Sequence, residues 1–153
     1  MKMLVCVDGS DHSKKALEKA LIFAENPQVE EVALIHVFES HLEYSASAFG
    51  AEGYSVTEED LDRLKKMYEE QKEMKEKVLT DAKKPFMAKN IKVKTIMEEG
   101  HPAHVIVAVA EEQGYDIIVL GSRGLSGLKK ILLGSVSNAV VQEVNNCCVL
   151  VVR

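Results

Sequence analysis

Five short apolar runs alternate with longer amphipathic stretches along the chain. The runs cover residues 3–7, 31–38, 91–97, 116–120 and 147–152. Four of them carry apolar side chains on both faces, which is typical of parallel strands covered by helices on both sides. The third run instead alternates apolar and polar positions with a period of two, which predicts a strand near a sheet edge.

The stretches between the runs have the spacing of amphipathic helices. The first is capped by Ser10 or Asp11 and stopped by Asn26-Pro27; its apolar face comprises Ala16, Leu17, Ala20, Phe23 and Ala24. The second extends from about Thr57 to about Lys84, with Thr57 and Asp60 as a capping pair. Its narrow apolar stripe comprises Leu61, Leu64, Met67 or Tyr68, Met74, Val78 and Ala82.

Two further helices complete the pattern. One opens with Gly100-His101-Pro102, where proline suits the first helical turn, and ends at Gln113-Gly114. It buries Ile106, Val109 and Ala110. The last helix starts near Ser135 and buries Val136, Val140 and Val144.

Strict alternation of strands and helices predicts an α/β fold: a single-domain α/β/α sandwich built on a parallel sheet with right-handed crossovers. Ligands of such sheets bind beyond the carboxyl ends of the strands, where the strand order reverses. The loops after the strands are therefore the places to look for chemistry.

A glycine-rich pattern follows the fourth apolar run. Gly121-Ser122-Arg123-Gly124 is separated by nine residues from Gly134-Ser135, where a helix begins. Glycine permits close approach of the backbone to an anion and positive φ angles, and a helix N-terminus offers free N–H groups and a favourable dipole. Ser135 and Ser137 add hydroxyl groups, and Arg123, Lys129 and Lys130 add positive charge. The pattern predicts a phosphate site.

The pattern differs from two common phosphate motifs. The P-loop requires a Lys directly after its last glycine, and the dinucleotide fingerprint requires G-x-G-x-x-G; neither is present here. G-x-x-G, nine residues and G-S after a strand resemble the universal stress protein family in its ATP-binding branch. The resemblance covers nearly the whole chain, so it implies one such domain over residues 1–153. It also implies a five-stranded parallel sheet in the order 3-2-1-4-5, a Rossmann-like fold related to the adenine nucleotide alpha hydrolases.

The resemblance further implies a set of nucleotide-binding residues. Asp8 would meet the nucleotide, Val7 would lie close to the base, and the backbone of Val37 would bond to adenine. Leu120 would lie near the sugar, and Val136 and Ser137 would donate at the helix start. The ribose and phosphates would be lined by Gly121, Arg123, Gly124, Gly134 and Ser135. The implied ligand is ATP, with Mg²⁺ or Mn²⁺ bound through its phosphates. From the residues alone, Asp8 could equally be part of the cap of the first helix with Gly9 and Ser10.

Charge and composition narrow the function classes. The net charge is −5 and no basic stripe is present, which argues against nucleic acid as a partner. No apolar run approaches the roughly 18 residues of a membrane span, and the first run is too short for a signal peptide, so we expect a cytoplasmic protein. Three cysteines do not make a disulfide framework; we interpret them as small core residues.

The histidines provide no obvious catalyst. His36 lies inside an apolar run and is interpreted as a core residue, while His101 and His104 lack a third metal ligand nearby. No nucleophile elbow and no acid–base pair for hydrolysis are present. The long segment of residues 40–56 follows the second strand, where it is either a flap over the ligand or an insertion.

Three hypotheses for function remain. The first is a nucleotide-dependent regulator of the stress response, forming a homodimer through the last strand, from Cys147 to Val152, with an unknown protein partner. An uninterrupted apolar strand at a sheet edge favours such pairing. The second is an enzyme, either a slow ATPase or an adenylating enzyme of the related alpha hydrolase group, although this chain lacks the paired glycines that such enzymes carry after the first strand. The third is a stress-protein domain that binds no nucleotide and acts through protein contacts.

Overall fold

The computed structural model describes residues 1–39, 57–124 and 133–153. The segment 40–56 and the lysines at positions 129 and 130 lie outside these residues. The described part contains the following elements: β1 (Lys2–Cys6), α1 (Asp11–Ala24), β2 (Glu31–Phe38), α2 (Glu58–Ala88), β3 (Val93–Glu99), α3 (Pro102–Glu112), β4 (Ile117–Gly121), α4 (Ser135–Glu143) and β5 (Cys148–Val152).

The strands form one parallel five-stranded sheet in the order β3-β2-β1-β4-β5, which confirms the predicted fold and strand order. Leu4 in the central strand pairs with Ala33 on one side and Ile118 on the other. Because β1 and β4 are neighbours and both connect onward from the same edge, the loops after them meet at the point where the order reverses.

Successive side chains of β1 enter two separate cores, as the period of a strand requires. Met3 and Val5 pack with residues of α1 and α2, among them Ala20 and Phe86. Leu4 packs on the opposite face with residues of α3 and α4, including Val140. The sheet is therefore covered on both faces, and its central strand β1 is apolar on both.

The second helix differs most from its prediction. It continues beyond Lys84 and through Pro85 to Ala88, because Phe86 is fully buried against the sheet and its burial offsets part of the cost of an interior proline. Its predicted stripe is wrong at two positions, since Leu61 and Met74 are 48% and 63% exposed. Where the prediction left Met67 or Tyr68 open, Tyr68 is half-buried and Met67 is exposed. The described residues show the buried contacts of α2 only near its C-terminal end, at Leu79, Ala82 and Phe86.

The predicted start signals of the helices are present. Ser10 rather than Asp11 caps α1, accepting a hydrogen bond from Ser13 N at 3.1 Å. Thr57 and Asp60 form the reciprocal capping box of α2. Phe23 of α1 is 45% exposed, contrary to the prediction, because the small side chains of α1 make its close contact with the sheet.

No helix within the three described ranges is both long and apolar enough to cross a lipid bilayer.

Candidate functional site

A cavity of about 530 Å³ opens at the carboxyl ends of β1, β2 and β4. All the residues predicted to bind the nucleotide line it: Val7, Asp8, Val37, Leu120, Gly121, Arg123, Gly124, Gly134, Ser135, Val136 and Ser137. The structure thus brings them together, and their contact with a nucleotide stays a prediction. The volume lies within the range of small-molecule sites.

The sequence did not predict six further lining residues: Cys6, Ser13, Ile35, Glu39, Pro102 and Ile106. Ile35 could have been found, because it lies two residues before Val37 and therefore on the same face of β2. Pro102 and Ile106 belong to α3, which could be placed over this cavity only once the packing of the helices was known.

The loop after β1 holds the Asp8 carboxylate in place. Asp8 Oδ1 accepts a hydrogen bond from Ser10 N at 2.9 Å, and Asp8 N donates to Ser13 Oγ at 3.2 Å. Gly9 makes the turn between them with a φ of +80°, a conformation that favours glycine. Ser10 is the helix cap, so the Asp8 side chain shapes the turn and also lines the cavity.

The reason for glycine differs among the motif positions. None of Gly121, Gly124 and Gly134 has a positive φ, so the expectation of positive φ is wrong for all three. A Cβ on Gly121 would come within 2.7 Å of the His12 carbonyl carbon, so glycine there permits the close packing of α1 on β4. A Cβ on Gly124 would come within 3.0 Å of Asp8 Oδ2. Glycine at 124 therefore makes room for the carboxylate.

Hydrogen bonds join the start of α4 to the residue that follows β4. Gly134 N donates to Ser122 O at 2.7 Å, and Ser137 Oγ lies 3.0 Å from the same oxygen and 3.1 Å from Gly134 O. Ser137 is 2% exposed, and its hydroxyl is used within the loop, while donation by Ser137 to a ligand stays a prediction. Its backbone N–H belongs to the first helical turn, where N–H groups have no intrahelical acceptor.

Arg123 adds a positively charged residue to the lining of the same cavity. Arg123 Nε is buried and meets no hydrogen-bond acceptor among the described residues, an arrangement that costs stability unless a ligand supplies the acceptor. Burial, followed by the negative charge of Asp8, raises the pKa of the Cys6 thiol. The thiol therefore stays neutral and serves as an apolar part of the wall.

The remaining walls are largely apolar, because Ile35, Val37, Ile106 and Leu120 contribute hydrocarbon side chains. One part of the cavity thus suits a planar base and a sugar. The other part, with Arg123 and the start of α4, suits an anion.

The histidines lie outside this arrangement. His36 is buried, and its Nδ1 lies 2.6 Å from Val7 O, so this nitrogen carries the proton and links β2 to the end of β1. The interpretation of His36 as a core residue is confirmed. His104 Nε2 lies 3.5 Å from Glu143 Oε1. Over residues 1–39, 57–124 and 133–153, no three potential metal ligands come together.

Comparisons with known proteins agree on one family. The model of the universal stress protein family matches residues 1–153. A universal stress protein of Bacillus subtilis, YxiE, is 41% identical over 152 residues, covering 99% of this chain and 98% of its own. A universal stress protein of Methanocaldococcus jannaschii is 35% identical over 158 residues, covering 99% of this chain and 94% of its own.

Solved structures have the same fold. The structure of the M. jannaschii protein matches with a TM-score of 0.74 over 99% of this chain and 94% of its own. A universal stress protein in complex with cAMP matches with a TM-score of 0.64 at 21% identity, covering 100% of this chain and 96% of its own. The Archaeoglobus fulgidus protein in complex with dAMP matches with a TM-score of 0.60 at 20% identity, covering 100% and 98%. Relatives of this fold therefore bind adenine nucleotides.

Proposed function

The chain belongs to the universal stress protein family, and we propose that it binds ATP in the cavity beyond β1 and β4 and acts as a nucleotide-dependent regulator in the stress response. One observation carries this proposal. Arg123 and the start of α4 line the same cavity. Two independent sources of positive potential on one cavity favour a phosphate group.

The apolar side of the cavity supports the adenosine part of the ligand. Val37 and Ile35 lie on one face of β2, where a planar base can pack. Residues on the odd-numbered side of β2 direct their backbone groups toward β1, as the bond from Val7 N to Ile35 O shows. The backbone of Val37 is the place where an adenine edge can be bonded, as the family resemblance implies.

The phosphates belong at the other side of the cavity. The N–H groups of Ser135 and Val136 open α4, and Gly134 supplies no side chain that could cap them. Arg123 adds a fixed positive charge beside them. The dAMP and cAMP bound by relatives carry one phosphate each, which supports recognition of the adenosine and first phosphate. That the chain prefers ATP, which carries two further phosphates, is our own proposal.

A divalent ion enters this proposal with the phosphates. Mg²⁺ takes most of its ligands from phosphate oxygens and water in nucleotide sites and needs one or two carboxylates from the protein. The Asp8 carboxylate lines this cavity. Its Oδ1 accepts the hydrogen bond of the turn, and its Oδ2 lies toward Gly124. It would hold Mg²⁺ or Mn²⁺, directly or through water.

We propose that β5 links nucleotide binding to regulation. Ser122 N donates to Val152 O at 2.7 Å, so the loop that carries Arg123 is bonded to the last strand. Val149, Leu150 and Val151 are half-buried in the single chain. We propose that two copies pair along β5, and that the nucleotide alters this dimer or its affinity for a protein partner.

The experiment is to purify the protein without added nucleotide, denature it, and identify what is released by mass spectrometry. We expect adenine nucleotide near one per chain, and we expect calorimetry on the emptied protein to show ATP binding with Mg²⁺. Arg123→Gln should weaken this binding, whereas Arg63→Gln, on the exposed surface of α2, should leave it unchanged. An empty protein that also fails to bind ATP, AMP and cAMP would overturn the proposal and favour the protein-contact hypothesis.

A further inference from the structure

One edge of the sheet carries free backbone groups. β3 is an edge strand that pairs with β2, and the bond from Gly100 N to Phe38 O, 2.9 Å long, fixes the phase of this ladder. In a parallel pair, alternate residues direct both polar backbone groups to the same side. The N–H and C=O groups of Thr95 and Met97 therefore point away from β2. No group in the described ranges hydrogen-bonds to them.

A groove of about 650 Å³ runs along this edge. Its helical wall is formed by Glu76, Thr80, Lys83 and Met87 of α2, whose spacings of four, three and four residues place them on one face of the helix. Its other wall is formed by Thr95 and Met97. The residues with outward backbone groups thus also place their side chains in the groove. A strand added at the edge would direct every second side chain into it.

Charge varies along the groove. α2 ends beside the start of β3, where Ile91 N donates to Phe86 O at 3.0 Å, so Lys83 lies toward the start of β3 and Glu76 toward its end. Lys83 is half-buried and has no ion-pair partner among the described residues. Lys84 beside it is paired with Asp81 at 2.6 Å. An occupant with a carboxylate near the start of β3 would complement Lys83.

We propose that the β3 edge docks an extended segment of a partner protein, antiparallel to β3, with alternate apolar side chains in the groove and a carboxylate near its C-terminal end opposite Lys83. Antiparallel pairing is favoured because it is slightly more stable per residue than parallel pairing. Backbone bonds would provide affinity, and the groove would provide selectivity, as in other cases of strand addition. This surface is separate from the nucleotide cavity.

A synthetic peptide serves as the probe. It has nine residues with fluorescein at its N-terminus, alternates leucine with threonine, and carries two glutamates at its C-terminal end. An isomer of the same composition carries the glutamates at its N-terminal end. By fluorescence anisotropy with the full chain, we expect the first peptide to bind about fivefold more tightly, because one ion pair of this kind contributes up to about 1 kcal/mol.

Backbone docking is tested by a pair of variants at one position. Thr95→Pro removes the outward N–H and leaves the ladder to β2 intact, as tolerated on edge strands. We expect about tenfold weaker binding of the peptide, since a hydrogen bond and a close approach are both lost. Thr95→Val keeps the N–H and should bind as the unmodified protein does. Circular dichroism of both variants checks that they remain folded.

The charge contact has its own pair of variants. Lys83→Glu should weaken the glutamate peptide about tenfold and reverse the preference between the isomers, whereas Lys66→Glu, exposed on the same helix outside the groove, should change neither. Absence of saturable binding to the unmodified protein, or equal binding of the two isomers, would overturn the proposal. So would a fall in the molecular mass of the free protein on Thr95→Pro, because the edge would then be a contact between two copies.

Discussion

At the carboxyl end of the sheet, the loops after β1 and β4 bring polar groups to a cavity, and Arg123 Nε lacks a partner there among the described residues. At the amino end, most polar groups are paired within the chain. Lys2 N donates to Asp116 Oδ2 at 2.6 Å, and Lys94 Nζ lies 2.8 Å from Glu31 Oε2. Tyr115 Oη and Glu31 Oε1 are buried at this end without a hydrogen-bond partner among the described residues, but they line neither of the two described cavities. The two ends therefore differ in the cavity that opens at the carboxyl end and not in whether every polar group is paired.

The difference shows where a ligand can reach the polar groups of the chain. A buried polar atom without a partner costs free energy, and a ligand can offset such a cost only where a cavity admits it, as at the carboxyl end. Polar groups that are paired within the chain contribute to folding and have no such role. Substitutions at the carboxyl end should therefore act on nucleotide affinity, and substitutions at the amino end should act on stability.

The largest expected effect is that of Gly124→Val. Its Cβ would lie 3.0 Å from Asp8 Oδ2, so the side chain either displaces the carboxylate or fills the space in front of it. We expect ATP affinity to fall about hundredfold or more, equivalent to about 2.7 kcal/mol, as measured by isothermal titration calorimetry.

Gly114→Ala is the control for this prediction. Gly114 has a φ of +66° and open space around its Cβ position, so alanine there costs stability through strain alone and should leave affinity unchanged. Retained ATP affinity in Gly124→Val would show that the nucleotide does not lie against this wall of the cavity.

Gly121→Ala should separate folding from binding within the same motif. The added methyl group would meet the α1 backbone at 2.7 Å, and a helix backbone cannot move aside as a flexible side chain can. We expect the free energy of unfolding to fall by about 1 to 3 kcal/mol in urea denaturation. ATP affinity of the folded fraction should change less than in Gly124→Val, and a greater loss of affinity than of stability would contradict the packing role of Gly121.

Two aspartates test the two ends directly. Asp8→Ala removes a carboxylate that lines the cavity, and we expect about tenfold weaker ATP binding in the presence of Mg²⁺. Asp116→Ala removes the acceptor of Lys2 N and should cost about 1 kcal/mol of stability without changing affinity. Calorimetry and urea denaturation of both variants give four values, and the comparison fails if Asp116→Ala is the one that weakens ATP binding.

The sequence predicted the fold because its local signals are consistent. Alternating apolar runs, the Thr57 cap and the proline at the start of α3 all agree with the observed elements. The predicted cavity residues could be found because they depend on strand ends and a family resemblance, whereas Pro102 and Ile106 of α3 could not. The apolar stripe of α2 was not predictable, because periodicity gives a face of a helix and not the length over which that face meets the sheet.

The individual roles of the motif residues follow only from their contacts in the folded chain. Gly121 and Gly124 look alike in the sequence, yet one faces the backbone of α1 and the other faces Asp8. Ser137 looks like a ligand donor, yet its hydroxyl lies within hydrogen-bond distance of Ser122 O. Such distinctions depend on contacts between residues more than a hundred positions apart or across an intervening loop, which no local pattern records.

The smallest expected effect concerns the amino end at alkaline pH. Tyr115 is 3% exposed, and burial, followed by the negative charge of Glu31, raises its pKa from 10 to about 12. Because the folded chain holds this proton more tightly than the unfolded chain, the resulting stability is fully present below pH 10 and is lost as the pH rises toward 12. Tyr115→Phe should remove this component of the pH dependence in urea denaturation and leave ATP affinity at neutral pH unchanged. If the two proteins lost stability in parallel between pH 10 and pH 12, the Tyr115 hydroxyl would be in contact with water. Its burial at the amino end would then be contradicted.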